Sequence, residues 1–488
     1  MNKRGAECLR PAVRVALVVL VPAVVLAGTW RWAASRTGGD DRADVVVVPA
    51  QPPVAALTTP LLSFRRVPDL LARTVNRPAL AAAVDELGRT LDDTSCLAVG
   101  LDGEPVAAVG GDRLVIPASN QKILVAAVAL EVIGPDATFT TEVRSAPLVD
   151  GVVAGDLYLV GGGDPLLTSG GFPVRQDRYP VTSPTSLDAL ADGVVAAGVA
   201  RVDGAVVGDG RRYDDEWFAP SWDDDVREVE AGPYDALMVN DARSSEAPAE
   251  GKVDDPAVGA AAELTALLAE RGVDVVGAPR PGVPGPETTP IASVTSAPMS
   301  AVVAELLGTS DDNTAELLVK ELGVTAGSGG TRTAGLEVIR RTLESWGVPA
   351  GALTLADGSG LSDENRLTCS GLVAVLGRGA PDGPLGAALP VAGRTGTLAD
   401  VLTDSPVTGR LRAKTGTLGN APPGVGPPAV KALAGYLPVD GGGLEFALIM
   451  NSPGDLSAPA SYMPVWESLV GVLASYPPGP APSDLAPR

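Results

Sequence analysis

Ser119 and Lys122 are the residues best suited to chemistry in this chain, because a serine followed three positions later by a lysine can share one face of a helix. The 488-residue sequence contains no histidine. A serine nucleophile must therefore be activated by another base, and lysine is the candidate. The spacing predicts hydrogen-bond contact between the two side chains, a serine–lysine variant of the catalytic triad. Acyl transfer is the chemistry that this pair indicates.

The segment Lys414-Thr415-Gly416-Thr417 carries a second lysine that could assist this pair. A lysine acts as a base only as the neutral amine, and burial together with a nearby cation favours that neutral form. Lys414 would be the nearby cation. The start of a helix at Ser119 would also place a positive potential on the serine oxygen and favour its alkoxide.

Ser310 is a further polar residue, in the segment Ser310-Asp311-Asp312-Asn313. Its hydroxyl could relay a proton between the lysines and a leaving amine. The alternative role is an N-cap for a helix that contains Thr314, and one hydroxyl could do both.

Local patterns predict the elements that position these residues. An apolar helix over 123–133 follows Ser119 and ends at Gly134-Pro135, so it should lie buried in a domain centre. The other predicted elements are helices over 79–91 and 256–271 and from residue 301, a hairpin over 96–109, a hairpin with strands 431–437 and 444–450, and a loop over 419–428.

The length and the 45% hydrophobic content allow two folded domains. Short Val-rich runs separated by Gly, Asp and Pro set the middle of the chain apart. The predicted organisation is an N-terminal signal or membrane anchor at 1–33, a linker at 34–78, a catalytic domain formed by 79–140 and 291–475, an inserted β-rich domain at 141–290, and a Pro-rich tail at 476–488.

The N-terminus places basic residues before an apolar run over 15–28, which predicts export from the cytoplasm. The run is shorter than the ~20 residues of a full membrane span. Trp30-Arg31-Trp32 is a poor cleavage site, so a single-pass anchor is favoured and a cleaved signal stays open. An oxidising exterior permits a disulfide between Cys96 and Cys369, and two buried free thiols are the alternative.

The composition excludes several classes of partner. A formal net charge of -22 and a pI near 4.4 repel phosphate backbones, so no nucleic-acid partner is expected. The absence of histidine and the presence of only three cysteines provide no recognisable zinc or histidine-based metal site. The sequence therefore predicts an enzyme without a metal or cofactor.

Four segments, in this order, resemble the D-alanyl-D-alanine carboxypeptidase/endopeptidase family of low-molecular-mass class C penicillin-binding proteins: 117–122, 157–165, 357–366 and 414–417. The resemblance implies an α/β (α+β) fold, in which a transpeptidase-like domain with an antiparallel sheet flanked by helices holds a large β-rich insert between S-x-x-K and S-x-N. It also implies that peptidoglycan stem peptides ending in D-Ala-D-Ala are cleaved through an acyl-enzyme on Ser119. β-Lactams should bind covalently to the same serine.

The resemblance further implies roles for the segment 414–417. Lys414 and Thr417 would bind the terminal carboxylate of the substrate, with Thr415 and Gly416 in the same substrate-binding strand. The backbone N–H groups of Ser119 and Thr417 would form the oxyanion hole.

The S-x-N segment departs from the family pattern. Asp312 occupies the position expected for asparagine, and Asn313 follows one position late. Asparagine can both donate and accept hydrogen bonds, whereas an ionised aspartate only accepts them and adds charge near Lys122. Asp312 and Asn313 are predicted to contact substrate, with altered activity or specificity.

Two other functions are compatible with the motifs. A β-lactamase or esterase on the same fold would need a deacylation route that the sequence does not reveal. A non-catalytic envelope protein that binds peptidoglycan or a cell-division partner is favoured by Asp312 alone. The enzyme is preferred because Ser119, Lys122, Ser310 and Lys414 are all present.

Two further segments are not expected to take part in catalysis. The segment 357–362 is predicted to be a structural loop under the site. The segment 394–397 has a sequence similar to that of 414–417, but it is predicted to have no catalytic role.

Overall fold

The computed structural model describes residue 31 and residues 68–170, 172, 181–224, 226–227, 229–243, 251–419, 427–439 and 442–476. The chain divides into two units, Met1–Val67 and Pro68–Arg488, and the helices and strands with defined bounds lie in the second. The predicted anchor or signal apart from residue 31, most of the linker, the tail from residue 477 and most of the loop at 419–428 lie outside the described residues. Within the described ranges no helix has both the length and the apolar character needed to cross a membrane.

Helices and strands are interspersed along the described part of the chain. The α-helices are α1 (Pro68–Gly88), α2 (Gln121–Val132), α3 (Leu187–Ala196), α4 (Pro256–Glu270), α5 (Met299–Thr309), α6 (Asp312–Thr325), α7 (Arg332–Ser345), α8 (Cys369–Leu376), α9 (Pro384–Ala388) and α10 (Pro459–Ala474). The strands are β1 (Cys96–Leu101), β2 (Glu104–Val109), β3 (Thr140–Ser145), β4 (Val152–Val153), β5 (Leu157–Val160), β6 (Leu167–Thr168), β7 (Thr185–Ser186), β8 (Arg201–Val202), β9 (Val206–Asp209), β10 (Asp274–Val275), β11 (Arg280–Pro281), β12 (Thr289–Thr295), β13 (Leu353–Thr354), β14 (Arg366–Leu367), β15 (Arg412–Leu418), β16 (Ala429–Val439) and β17 (Gly442–Ser452).

A five-stranded antiparallel sheet, in the order β15-β16-β17-β1-β2, carries the Lys414 segment at its edge. Successive side chains of a strand point to opposite faces. In β16, Ala432 and Ala434 belong to the core that contains α2, while Leu433 and Leu437 belong to the core that contains α10. Both faces of the sheet are therefore buried, and the two hairpins predicted from the sequence are confirmed as the pairs β1–β2 and β16–β17.

Helix α2 is apolar from residue 123 to residue 130 and lies inside the molecule. Its residues 121–129 are all buried. A helix without a polar face must be surrounded by other elements, and α5 and α6 pack against it. The prediction of a central helix after Ser119 is confirmed.

The region between S-x-x-K and S-x-N has its own sheets and core. One sheet has the order β11-β9-β5-β3-β12 and another the order β10-β8-β4, with α3 and α4 packed on them. The region is thus rich in strands, and α4 confirms the helix predicted over 256–271. The antiparallel pairing of β3 with β12 brings the entry and the exit of this region side by side, as an insertion requires.

Two local features refine the predictions. The first helix begins at Pro68, inside the predicted linker 34–78, and continues through Pro78. A proline at the first position of a helix lacks only an N–H that would have no partner there, so it starts a helix rather than preventing one. Cys96 and Cys369 are joined in a disulfide with an S–S distance of 2.07 Å, which links β1 to the start of α8.

Candidate active site

Ser119 lies in a short 3₁₀ turn, Ala118–Asn120, that leads directly into α2. Because Lys122 follows within the first turn of that helix, its Nζ reaches Ser119 Oγ at 3.0 Å. Lys122 is fully buried, whereas Ser119 is only partly buried. The predicted pair is therefore formed, with the serine oxygen facing the cleft and the lysine nitrogen behind it.

Two glycines make room for this turn. Ala118 has a φ of 48°, in the left-handed region that residues with a Cβ seldom adopt. A Cβ on Gly360 would lie 2.0 Å from the carbonyl oxygen of Ala118, and a Cβ on Gly416 would lie 2.9 Å from the carbonyl oxygen of Pro117. The glycine in the 414–417 segment thus serves to bring the strand edge against the nucleophile turn.

Lys122 has two further acceptors besides the serine. Its Nζ donates to Asp312 Oδ1 at 2.6 Å and to the carbonyl oxygen of Ser359 at 2.7 Å. Asp312 is the first residue of α6. Burial raises the pKa of Asp312, while the charge of Lys122 and its hydrogen bond act in the opposite direction. The aspartate found at the asparagine position is thus in direct contact with the candidate base.

Lys414 and Ser310 form the opposite side of the cleft. Lys414 Nζ donates to Ser310 Oγ at 2.8 Å and to the carbonyl oxygen of Thr415 at 2.9 Å. Burial, followed by the positive charge of Lys122, lowers the pKa of Lys414 well below its usual value. Ser310 does not cap α6: it ends α5 in a left-handed conformation, and Asp311 caps α6 by accepting a hydrogen bond from the Thr314 backbone N–H. The alternative role given to Ser310, as the N-cap of α6, is therefore wrong. Its hydroxyl oxygen instead accepts the hydrogen bond from Lys414 in the cleft.

The remaining residues of the 414–417 strand have neighbours that the sequence did not indicate. Thr415 Oγ1 donates to Thr397 Oγ1 at 3.1 Å, so the segment 394–397 contacts the site although it forms no second one. Thr417 is exposed, and its Oγ1 accepts a hydrogen bond of 3.0 Å from Lys431 Nζ. Lys431 also lies over the ring of Tyr462, 4.6 Å from its centroid. These contacts place a third lysine beside the outer end of the strand.

Asn313 does not face the cleft. Consecutive residues of a helix differ by about 100° in direction, and Asn313 points from α6 into the inserted region. Its Oδ1 accepts from the Gly232 backbone N–H at 2.6 Å, and its amide nitrogen donates to Asp241. The structure thus brings Asp312 to Lys122, whereas the side chain of Asn313 bonds to the inserted region, and its contact with substrate stays a prediction.

A cavity of about 190 Å³ opens beside Ser310 and Asp312. The inserted region forms much of its wall. Carboxylates dominate the polar part of its lining, which includes Glu230, Asp241, Glu305, Asp311 and Asp312.

Comparison with known proteins agrees with this arrangement. The family model of D-Ala-D-Ala carboxypeptidase 3 (S13) matches residues 80–247 and 242–469. The D-alanyl-D-alanine carboxypeptidase of Actinomadura sp. (strain R39) is 30% identical, over 90% of this chain and 91% of the relative. The carboxypeptidase DacB of Mycolicibacterium smegmatis is 32% identical, over 91% of this chain and 93% of the relative. The chain belongs to the S13 family of D-Ala-D-Ala carboxypeptidases.

The fold agrees with the same assignment. The crystal structure of penicillin-binding protein 4 (dacB) from Haemophilus influenzae superimposes with a TM-score of 0.64 and 19% identity, and covers 80% of this chain and 99% of that one. The resemblance inferred from four short segments is therefore confirmed. The protein is a serine-type D-Ala-D-Ala carboxypeptidase with a penicillin-binding-protein fold.

The floor of this S13 site contains a buried carboxylate that sequence reasoning missed. Glu316 accepts hydrogen bonds from the backbone N–H groups of Gly358 and Ser359, at 3.0 Å and 2.7 Å, and so fixes the loop whose carbonyl contacts Lys122. Burial, and then the charge of Asp357, raises the pKa of Glu316 to about 8. Asp357 in turn accepts from the indole N–H of Trp222 at 2.8 Å. A glutamate four positions after Asp312 on one helix was the available signal, since both residues lie on the same face.

Proposed function

We propose that this carboxypeptidase works through an acyl-enzyme on Ser119, with Lys122 as the general base. Ser119 Oγ bonds to the carbonyl carbon between the two D-alanines while its proton passes to the neutral Nζ of Lys122. The observation that carries the proposal is the 3.0 Å contact between these two atoms in a chain without histidine.

The remaining residues serve the later steps. Ser310 gives its proton to the leaving amine as the C–N bond breaks, and Lys414, 2.8 Å away, replaces that proton. Lys414 and Thr417 bind the terminal carboxylate, and the N–H groups of Ser119 and Thr417 stabilise the oxyanion. Water then hydrolyses the ester and releases the shortened peptide.

Penicillin should acylate the same serine, because its lactam carbonyl occupies the position of the peptide carbonyl. The Haemophilus influenzae protein with this fold has been crystallised in complex with a β-lactam. Hydrolysis of peptide cross-links follows the same chemistry with a longer leaving amine, so D,D-endopeptidase action is part of the proposal. The natural substrate is a peptidoglycan stem peptide, reached outside the cytoplasm, where the Cys96–Cys369 disulfide is stable.

Intact mass spectrometry tests the acyl-enzyme directly. The full-length protein, the S119A variant and the S328A variant, which lacks an exposed serine remote from the cleft, are each incubated with benzylpenicillin. We expect one added penicillin on the parent and on S328A, and none on S119A. An adduct that persists on S119A, or no adduct on the parent, would overturn the assignment of Ser119. Release of D-alanine from a peptide ending in D-Ala-D-Ala, and opening of a cross-linked peptide dimer, then separate the two peptidase activities.

A further inference from the structure

We propose that Asp312 is a positioning residue that holds Lys122 in its ammonium form, so that acylation of Ser119 requires a higher pH than it would with asparagine at this position. The inference rests on the proposed acyl-enzyme mechanism. It concerns a residue by which this chain departs from the S-x-N pattern.

The contact itself is the first observation. Asp312 Oδ1 lies 2.6 Å from Lys122 Nζ; the lysine side chain is 0% exposed and that of the aspartate 16% exposed. An asparagine Oδ1 could accept the same hydrogen bond without a charge. A carboxylate this close to a fully buried ammonium group strongly favours the charged form of its partner. The substitution therefore changes the charge of the site and leaves its shape nearly unchanged.

The other groups near the pair do not cancel this effect. Within the described part of the chain, Lys414 on β15 is the other cation near the pair. Burial lowers its pKa, the charge of Asp312 acts in the opposite direction, and its Nζ donates to the neutral oxygens of Ser310 and Thr415. The remaining neighbours are carboxyl groups: Asp311 and Glu316 on α6, Asp357 in the loop before β14, and Asp241 in the inserted region. Burial, and then the charge of Asp241, raises the pKa of Asp311 to about 6. Lys122 is thus the cation that Asp312 contacts directly.

The chemical consequence follows from proton balance. Ser119 must give its proton to a neutral amine as its oxygen bonds to the carbonyl carbon. Lys122 donates to three oxygens in this structure, those of Ser119, Asp312 and Ser359, and can accept a proton only after losing one of its own. That proton passes to solvent as the pH rises. The negative charge of Asp312 opposes its loss, so the rate of acylation should increase at a higher pH than in an amide variant.

The experiment compares the pH dependence of acylation by benzylpenicillin in the full-length parent, D312N and D311N. Asp311 is the matched control, because it carries the same charge one residue earlier but contacts Thr314 instead of Lys122, and asparagine also caps helices well. The acid limb is the part of the pH profile over which the acylation rate rises with pH. We expect the acid limb of D312N to lie about one pH unit or more below that of the parent. The limb of D311N should lie close to that of the parent. D312S, which also removes the charge, provides a second variant should D312N fold poorly.

Each outcome has a distinct meaning. A limb in D312N that coincides with that of the parent, or an equal displacement in D311N, would overturn the role of Asp312 while leaving the acyl-enzyme intact. Folded D312N and D312S proteins that fail to react at any pH would also overturn it, since the carboxylate would then be required for the chemistry. If the parent forms no adduct at any pH, the proposed function itself fails, and this inference with it.

Discussion

Lys122 and Lys414 are both fully buried lysines on opposite sides of one cleft, and they differ in what surrounds their charge. Lys122 donates to a carboxylate, whereas the partners of Lys414 are a hydroxyl and a carbonyl. Neutral acceptors satisfy the hydrogen bonds of an ammonium group but do not replace the hydration lost on burial. The ion pair therefore offsets the cost of burying Lys122, whereas Lys414 is buried without a carboxylate in contact, and burial lowers its pKa.

The largest effect is expected from K122M. The substitution removes the cation and leaves Asp312 buried beside other carboxyl groups, so we expect a loss of about 3 kcal/mol in the free energy of unfolding, together with loss of acylation. Urea unfolding of K122M and of the double variant K122M/D312N measures this. The double variant should recover most of the lost stability but none of the acylation. Equal stability of K122M and the parent would show that Asp312 is neutral in the folded protein.

K414M sharpens the comparison by giving the opposite combination. Methionine fills a similar space and removes a group that is costly to bury as a cation, so the stability should be unchanged or slightly higher. Acylation by benzylpenicillin should fall by about a hundredfold or more, because the contact with Ser310 and the positive charge for the substrate carboxylate are both lost. A loss of stability as large as that of K122M would contradict the difference between the two lysines.

The pH dependence of stability provides a smaller but independent test of the difference between the two lysines. The pKa of Lys414 is depressed in the folded protein, so the unfolded chain binds this proton more strongly. Stability should therefore rise with pH from the folded pKa up to the unfolded value of 10.5, by at most ~1.4 kcal/mol per pH unit. Thermal unfolding of the parent and K414M across the alkaline range isolates this contribution as the difference between the two curves. A difference that stays constant would mean that Lys414 is charged in both states.

The sequence predicted those parts of the site that depend on local geometry. Ser119 and Lys122 meet because one helix turn joins them. Lys414 was indicated by its Lys-Thr-Gly segment and Ser310 by its place in the S-x-N segment. The ion pair of Lys122 with Asp312 joins residues 190 positions apart. The family pattern placed the charge of Asp312 near Lys122, but their direct contact depends on tertiary packing. Asn313 shows the limit most clearly, because its hydrogen bond from the Gly232 backbone N–H joins residues 81 positions apart and cannot be read from the local sequence.

The smallest effect concerns Lys431, which extends the comparison to a lysine at the rim of the cleft. A hydroxyl oxygen that accepts a hydrogen bond from an ammonium group directs its own proton elsewhere, so the contact of Lys431 with Thr417 should orient the Thr417 O–H toward a substrate carboxylate. K431M keeps the packing on Tyr462 but removes this donor and its charge. We expect benzylpenicillin to acylate K431M about fivefold more slowly, equivalent to ~1 kcal/mol, with stability nearly unchanged. K431R, which keeps the charge, should retain most of the rate. If K431M reacts at the parental rate, Thr417 binds the carboxylate without help from this lysine, and the recognition of charge in this cleft depends on Lys414 alone among the three lysines.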